Sequence, residues 1–468
     1  MKKYTLLMIL LLIACITRAQ DCLPDGIYFF TQGDIDNFQL EYPDCTRIGG
    51  DVWISGVDNL SGLSVLRYIG GNLDISSTNN LSNLSGLENL DSIGGNFFLT
   101  NNDNLINLTG LDGLKTINGE ILIAENSSLN NLTGLDSLGY VNFFLIENND
   151  SMTSLSGMES MTSIGQFIIY QNNSLSDLTG LEILESIFDF RVLENYGITS
   201  LAGLENLSTI QNSLNINGNM HLTTIEQLEG VSLIPNQVFI VYNPNLISLT
   251  GLHNITNIGY SCYIWDNFLL SDLSGLDNVT SIGSLLTIRG NASLVNLHGL
   301  EALSYAGGIS IRENLSLVSL TGIDSIEAVS IDNLSIMDNP ALSTCNVTSI
   351  CEYIVSPNGV LNISDNAIGC NTPQEVEDAC FVGFENKELN RSQYKIYPNP
   401  SSNYVIVETV ALEPNTMITL SDMQGRKLIK TPVINHHEII DITQLNKGLY
   451  YLQIKNDFSV NVFKMLKK

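Results

Sequence analysis

Through residues 97–111 the apolar positions change their spacing. Phe97 and Leu99 alternate with Phe98 and Thr100, the two-residue period of a strand; Leu105, Leu108 and Leu111 then fall three apart, as in a tight coiled return. An asparagine sits where one spacing gives way to the other, and both patterns recur around it along most of the chain. The asparagines are Asn102, Asn126, Asn149, Asn172, Asn195, Asn219, Asn243, Asn267, Asn291, Asn314 and Asn339, separated by 23 to 25 residues. A fixed period of that length predicts a solenoid, in which each coil of one strand and one return buries its apolar side against the next.

A second series keeps the same register. Gly62, Gly86, Gly110, Gly134, Gly157, Gly180, Gly203, Gly251, Gly275, Gly299 and Gly322 lie mostly within Leu-[Ser/Thr]-Gly-Leu. Aligning on Asn219 puts Gln227, not Gly230, in the slot between Gly203 and Gly251, so no insertion is required. The glycine is expected at a tight bend or close coil contact that is not glycine-only at every turn. The asparagine is expected to be structural, its amide bonding corner backbone groups and its neighbours in adjacent coils.

Strand parity then assigns faces. With Phe97 and Leu99 inward, one outward row reads Trp53, Asp74, Phe98, Leu122, Leu145, Ile168, Arg191, Asn215, Phe239, Tyr263, Thr287, Ser310 and Ser335. The row two residues on reads Thr100, Ala124, Glu147, Tyr170, Leu193, Asn217, Val241, Trp265, Arg289, Arg312 and Met337. Phe98, Leu122, Leu145 and Ile168 form an apolar strip with Tyr170 beside it; Phe239, Tyr263 and Trp265 form an aromatic cluster; Arg191, Arg289 and Arg312 bring cations to the same rows. Apolar patches bordered by charge, with aromatics and Arg, are the composition of contact surfaces.

The ends of the chain read differently. Met1-Lys2-Lys3, an apolar run from Leu6 to Ile13 and Thr17-Arg18-Ala19 form a secretory signal peptide expected to be cleaved after Ala19, the run being too short to span a bilayer. Leu12-Ile13-Ala14-Cys15 also fits a lipoprotein signal with lipidation at Cys15, an alternative that an unmodified Gln20 N-terminus would eliminate. Cys22 and Cys45 precede the repeats and Cys345, Cys351, Cys370 and Cys380 follow them, as expected of disulfide-stapled caps; the rear four have three possible connectivities. Cys262 takes the position of inward Phe97 and is expected to be a buried free thiol.

The formal net charge is −29, yet residues 21–380 hold only six cations while residues 381–468 hold eleven, which marks a domain boundary. An acidic solenoid repels phosphates, so nucleic acid is excluded as a partner. No compact Asp-rich calcium loop stands out, and neither CxxC spacing nor a histidine cluster suggests zinc, so no metal or cofactor is expected. GxSxG, HExxH, phosphate-loop and paired-carboxylate motifs are lacking, and the solenoid histidines His221, His253 and His298 occupy unrelated positions. The chain reads as a non-enzyme.

Two family resemblances follow. The repeat, with its Leu-x-x-Ile-Gly-Gly step seen at residues 90–95, resembles the receptor L-domain branch of the leucine-rich repeat superfamily over roughly residues 45–380. The C-terminal segment resembles a type A sorting domain of the type IX secretion system, through Tyr397-Pro398-Asn399-Pro400, Asp422-Met423-Gln424-Gly425-Arg426, the run 445–452 containing Gly448 and Tyr450, and the basic end at residues 464–468. Together they imply a mainly β protein: a right-handed receptor L-like β-solenoid of about 12 to 13 coils and a small C-terminal β-sandwich. The expected order is signal peptide 1–19, N-terminal cap 20–47, solenoid 48–343, disulfide-rich cap 344–381, linker 382–393 and sorting domain 394–468. The second resemblance implies the type IX machinery as a partner, passage across a Gram-negative outer membrane, removal of the sorting domain, and attachment to surface lipopolysaccharide or release. The functional expectation is an adhesin-like binding protein for an extracellular protein or glycan; the alternative is a surface or matrix component that self-associates through its solenoid.

Overall fold

The computed structural model describes residues 21–78, 80–380, 394–456 and 460–468; the expected signal peptide, Cys15 and linker 382–393 lie outside the described residues. It is mainly β, with a solenoid of about 14 turns followed by small antiparallel sheets. Two compact units divide it, one containing the coils up to Leu303 with Glu313–Leu315, the other containing Ser304–Arg312 and Ser316–Lys468.

In the first unit the long strands stack in parallel and in strict register. Leu73, Phe97 and Ile121 follow one another on the inner side, as do Ile75, Leu99 and Ile123, all fully buried. Phe144, Phe167 and Phe190 make an inner aromatic stack with centroids 5.7 and 6.0 Å apart. The leucines spaced three apart on the return, such as Leu105, Leu108, Leu111 and Leu114, close the other side of the core. A second, four-stranded sheet of two-residue strands, Arg47–Ile48, Tyr68–Ile69, Ser92–Ile93 and Thr116–Ile117, runs beside the first.

One-residue differences in period have a structural meaning. From Asn102 to Asn126, 24 apart, two residues between the short and long strands break the ladder: Thr116–Ile117 ends and Glu120–Ala124 begins after a gap; the 24-residue coil from Asn267 to Asn291 departs from this and runs unbroken as Ser281–Arg289. The three consecutive 23-residue coils lack one of those residues, and their strands run unbroken as Tyr140–Glu147, Ser163–Tyr170 and Ser186–Leu193.

The residue before each ladder position is left-handed, as in Asn101, Glu125, Asn148, Gln171 and Glu194, with φ between 52 and 58°. That kink aims the following Asn side chain into the core. Asn172, fully buried, donates through Nδ2 to Ile146 O (3.0 Å), Tyr170 O (3.1 Å) and Asn195 Oδ1 (3.4 Å), and accepts from Asn149 N (3.1 Å) and Asn149 Nδ2 (3.2 Å). The amide thus satisfies backbone groups that would otherwise be orphaned at the corner. In the first unit the ladder opens before the sequence count, at Thr78, which donates to Asn102 Oδ1; in the second unit Asn339 donates to Asn366 Oδ1 in the same way.

At Gly110 φ is +110°, and an added Cβ would lie 2.1 Å from Leu84 O in the preceding coil. Gln227 escapes that geometry because its coil turns through a 3-10 helix, Glu226–Leu228, instead. Beside these glycines lies a reason for the acidic composition. A carboxylate two residues on accepts the glycine N–H in coil after coil: Glu88, Asp112, Asp136, Glu159, Glu182, Glu205, Asp277, Glu301 and Asp324, at 2.7 to 3.2 Å. Those charges are part of the turn as well as a solvated surface.

Each cap contributes a rung, which is why the turns exceed the 12 to 13 expected. Ile27–Phe29 pairs with Val52–Ile54. Helix α1, Gln32–Glu41, follows with Thr31 and Asp34 in a capping box and Ile35 and Phe38 buried against the first coil. Cys22 bonds to Cys45. In the second unit Leu361–Ser364 pairs with Asn333–Met337, between α2, Thr348–Val355, and α3, Pro373–Ala379. Of the three rear connectivities the structure has Cys345–Cys370 and Cys351–Cys380, while Cys262 is buried and free.

Residues 394–468 form sheets of three and four antiparallel strands, ordered Tyr394–Tyr397, Tyr404–Thr409, His437–Asp441 and Lys427–Pro432, Met417–Ser421, Gly448–Lys455, Val460–Lys467. They share a core that includes Val405, Val407, Leu420, Ile440, Leu452 and Met465.

Candidate functional site

Parity places the sequence-derived rows on the outside of the sheet. Phe98, Leu122, Leu145, Ile168 and Arg191 are register neighbours across five coils, and the row continues through Asn215, Phe239 and Tyr263. Adjacent rungs stand about 4.8 Å apart, so the four apolar members make a continuous strip, each half-buried by its neighbours. Tyr170 lies one outward position along from Ile168. Two residues read as outward from parity are in fact covered, Ala124 at 8% and Thr287 at 5% exposure.

The aromatic cluster comes together as expected from register. Phe239 and Tyr263 stack at 4.7 Å with an 11° interplanar angle, and Trp265 meets Tyr263 edge-on at 5.3 Å. Because the first two rings stack across rungs, they use their faces on each other and form a ridge. Nearby polar atoms are left over: Trp265 Nε1 and Thr287 Oγ1 are buried without a hydrogen-bond partner. Tyr242, left-handed at φ 53°, holds a ring 6.3 Å from Phe268 on the corner beside this ridge.

The three cations are committed within the protein. Arg191 is paired with Asp189 at 2.6 Å, Arg289 with Glu313 at 3.0 Å, and Arg312, in the second unit, donates to Ser335 Oγ at 3.2 Å. Arg191 and Arg289 border the apolar rows as ion pairs, and Arg312 as a cation on a serine hydroxyl, so two of the three charges expected in these rows are balanced locally. Sequence reasoning also missed a second aromatic stack: Tyr28 lies parallel on Trp53 at 4.1 Å, with Phe30 5.4 Å from Tyr28. Tyr28 is 54% and Phe30 61% exposed. They precede the first ladder position, so the asparagine ruler could not reach them, although the alternation Tyr28-Phe29-Phe30 carries the signal.

Two of the solenoid histidines are engaged by neighbours within the repeats. His298 Nδ1 contacts Glu301, the carboxylate that also holds Gly299 N–H, and His221 Nδ1 contacts Tyr196 O. Among the described residues no group of three or more His, Cys, Asp or Glu could hold a metal ion. Burial pushes the Cys262 thiol up to about 12, which removes it as a nucleophile.

In the C-terminal sandwich the motif residues are structural ties. Asn399, within Tyr397-Pro398-Asn399-Pro400, donates to Lys464 O (2.6 Å) and accepts from Leu466 N (2.9 Å), binding the motif to the last strand. Asp422 accepts from Arg426 N (2.8 Å) and Nε (2.6 Å) around a turn where Gly425 takes φ +76°. Gly448, at φ +150°, opens the strand that carries Tyr450, whose hydroxyl donates to Asn446 O at 2.9 Å. The terminal basic residues therefore fold onto the Tyr-Pro-Asn-Pro turn; Lys468 N donates to Ser401 O at 2.8 Å.

The chain thus carries a parallel β-solenoid with a half-buried apolar outer sheet face and, in residues 394–468, antiparallel sheets of their own. Comparison with family models names both parts: residues 44–132 match the receptor L domain and residues 395–468 match the secretion system C-terminal sorting domain. No curated protein matches the chain. The sorting domain marks the protein for export by the type IX secretion system, whose machinery it engages, to the cell surface or extracellular space. No helix among the described residues is long and apolar enough to cross a membrane.

Proposed function

We propose that this protein is a non-catalytic, adhesin-like binding protein, which meets its extracellular partner with the outer face of the solenoid sheet. The observation that supports this most is the continuity of that face: apolar side chains in register from Phe98 to Ile168, and the ridge of Phe239, Tyr263 and Trp265 farther along. A sheet face evolved only for solvation alternates to polar residues; here large side chains stay half-exposed on a scaffold whose corners are held by the buried asparagine ladder. In this reading the sorting domain is removed after export, and the mature solenoid is attached to surface lipopolysaccharide or released.

The test compares binding of the purified protein and of the triple variant Phe239→Ala, Tyr263→Ala, Trp265→Ala to intact cells and to immobilised extracellular proteins. Loss of binding with unchanged far-UV circular dichroism supports the reading; full retention removes the ridge, and self-association as the sole interaction replaces adhesion with a matrix role. Deleting residues 394–468 should trap the chain in the cell envelope, and a surface form of uniform low mass would refute lipopolysaccharide attachment.

A further inference from the structure

The three fused coils create a second site, separate from the strip and the ridge. Tyr140, Ser163 and Ser186 are register neighbours, and so are Phe143, Gln166 and Asp189. Between these two registered rows lie Asn142, Gly165 and Phe188. Gly165 has no side chain, so a notch opens in the middle coil, with Tyr140 and Phe143 on one side and Phe188 on the other. A hollow of about 620 Å³ occupies this place, within the usual range of small-molecule sites. The notch is built in: a Cβ on Gly165 would lie 2.0 Å from Asn142 O. Tyr140 is 54% and Phe188 45% exposed, large rings with about half of their surface open to solvent.

The geometry points to a binding site for a neutral saccharide, one ring of which enters between the aromatic walls. Coils carrying Tyr140 and Phe188 are two rungs apart, roughly 10 Å, which leaves roughly 6 Å once ring thickness is subtracted, room for a single puckered sugar ring. The polar lining is made of amides and hydroxyls: Asn142, Gln166 and Gln211, with Ser163 and Ser186. Its one charged member is a carboxylate, Glu120, so an anionic ligand would meet no compensating cation. Asp189, 3% exposed and in register with Gln166, spends one oxygen on Arg191 and keeps Oδ1 buried without a partner.

Other occupants fit less well. A wholly apolar ligand would strip water from the amides and leave them unpaired. An extended peptide binds by adding to a free strand edge, and here each strand is already paired on both sides, Glu120–Ala124 with Tyr140–Glu147, that strand with Ser163–Tyr170, and the latter with Ser186–Leu193. A sugar uses both features at once, setting its apolar ring face on the aromatics and its hydroxyls on the amides.

The test is titration calorimetry of the purified full chain with neutral tetrasaccharides of glucose, mannose and N-acetylglucosamine. Variants are Phe188→Ala, Gln211→Ala and Ser186→Trp, the last filling the notch; far-UV circular dichroism qualifies each fold. The expected result is saturable binding of at least one tetrasaccharide, weakened about tenfold or more by Phe188→Ala and abolished by Ser186→Trp. The ridge variant Phe239→Ala, Tyr263→Ala, Trp265→Ala should bind the same sugar unchanged, which separates this site from the proposed adhesive face. Absence of binding to every tetrasaccharide at millimolar concentration, or equal binding by all folded notch variants, overturns the inference. So does binding confined to peptides or acidic glycans.

Discussion

Replacing Asn172 by Ala tests how the solenoid is held together. The methyl group keeps the backbone N–H bond to Asn195 Oδ1 at 2.9 Å but removes every bond made by the side chain. Asn149 N–H loses its acceptor in the core, and the carbonyl of Ile146 loses a donor at 3.0 Å. Tyr170 O loses one donor but retains Asn148 N at 3.1 Å, and Asn149 Nδ2 retains Ile123 O and Glu147 O. One orphaned buried donor costs about 1–3 kcal/mol, and each of the other lost bonds about 0.5–1.5 kcal/mol. The expected destabilisation is about 3 kcal/mol or more, a large share of the 5–15 kcal/mol typical of a folded domain.

Asn173→Ala is the matched control, because its Nδ2 bond to Asp150 is exposed and its loss should stay within about 0.5 kcal/mol. Urea denaturation followed by circular dichroism measures the difference. Amide hydrogen exchange adds location: coils couple mainly to their neighbours, so protection should fall in Tyr140–Glu147 and Ser163–Tyr170 first. A midpoint for Asn172→Ala matching that of Asn173→Ala, with unchanged exchange in those strands, would falsify the view that the ladder carries the corners.

Other expectations follow from equally local causes. Gly110→Ala combines a left-handed backbone with a Cβ 2.1 Å from Leu84 O and should lower thermal stability by about 2 kcal/mol or more; Gly425→Ala, with nothing within 4 Å, should cost only about 1 kcal/mol. Native protein should leave Cys262 unmodified by iodoacetamide at pH 8, since burial holds the thiol near 12, and labelling should appear on unfolding in urea. Asp34 is held below the usual carboxylate range by hydrogen bonds from the backbone N–H groups of Thr31 and Phe30. Its contribution to stability is therefore complete above the unfolded-state value and fades as pH falls through the lowered native one. Melting curves of wild type and Asp34→Asn should differ at pH 7 and converge in acid; a constant difference would contradict the cap's role.

The legible part of the candidate site was its register. Asparagine spacing located two outward rows from Phe98 to Arg289, because strand alternation and a repeating corner convert sequence offsets directly into neighbours. Ala124 and Thr287 escaped, since parity reports direction and says nothing of how far adjacent side chains lean over a small residue. The arginines were found, but their partners were not: Glu313 meets Arg289 from the next coil, 24 residues on, and Asp189 reaches Arg191 only because the fused strand turns both outward.

What the chain determines alone is its period, its inside and outside, and its two-part plan with a C-terminal address. These follow from local rules: alternation makes a strand, a recurring polar corner ends it, and a motif series marks a separate sandwich. Tertiary structure alone decided the rear disulfide pairing, the cap strands that lengthen the solenoid, and the notch at Gly165. Each depends on contacts between residues one or more coils apart, where a single missing residue per coil fuses two strands and brings Tyr140, Phe143 and Phe188 around one space.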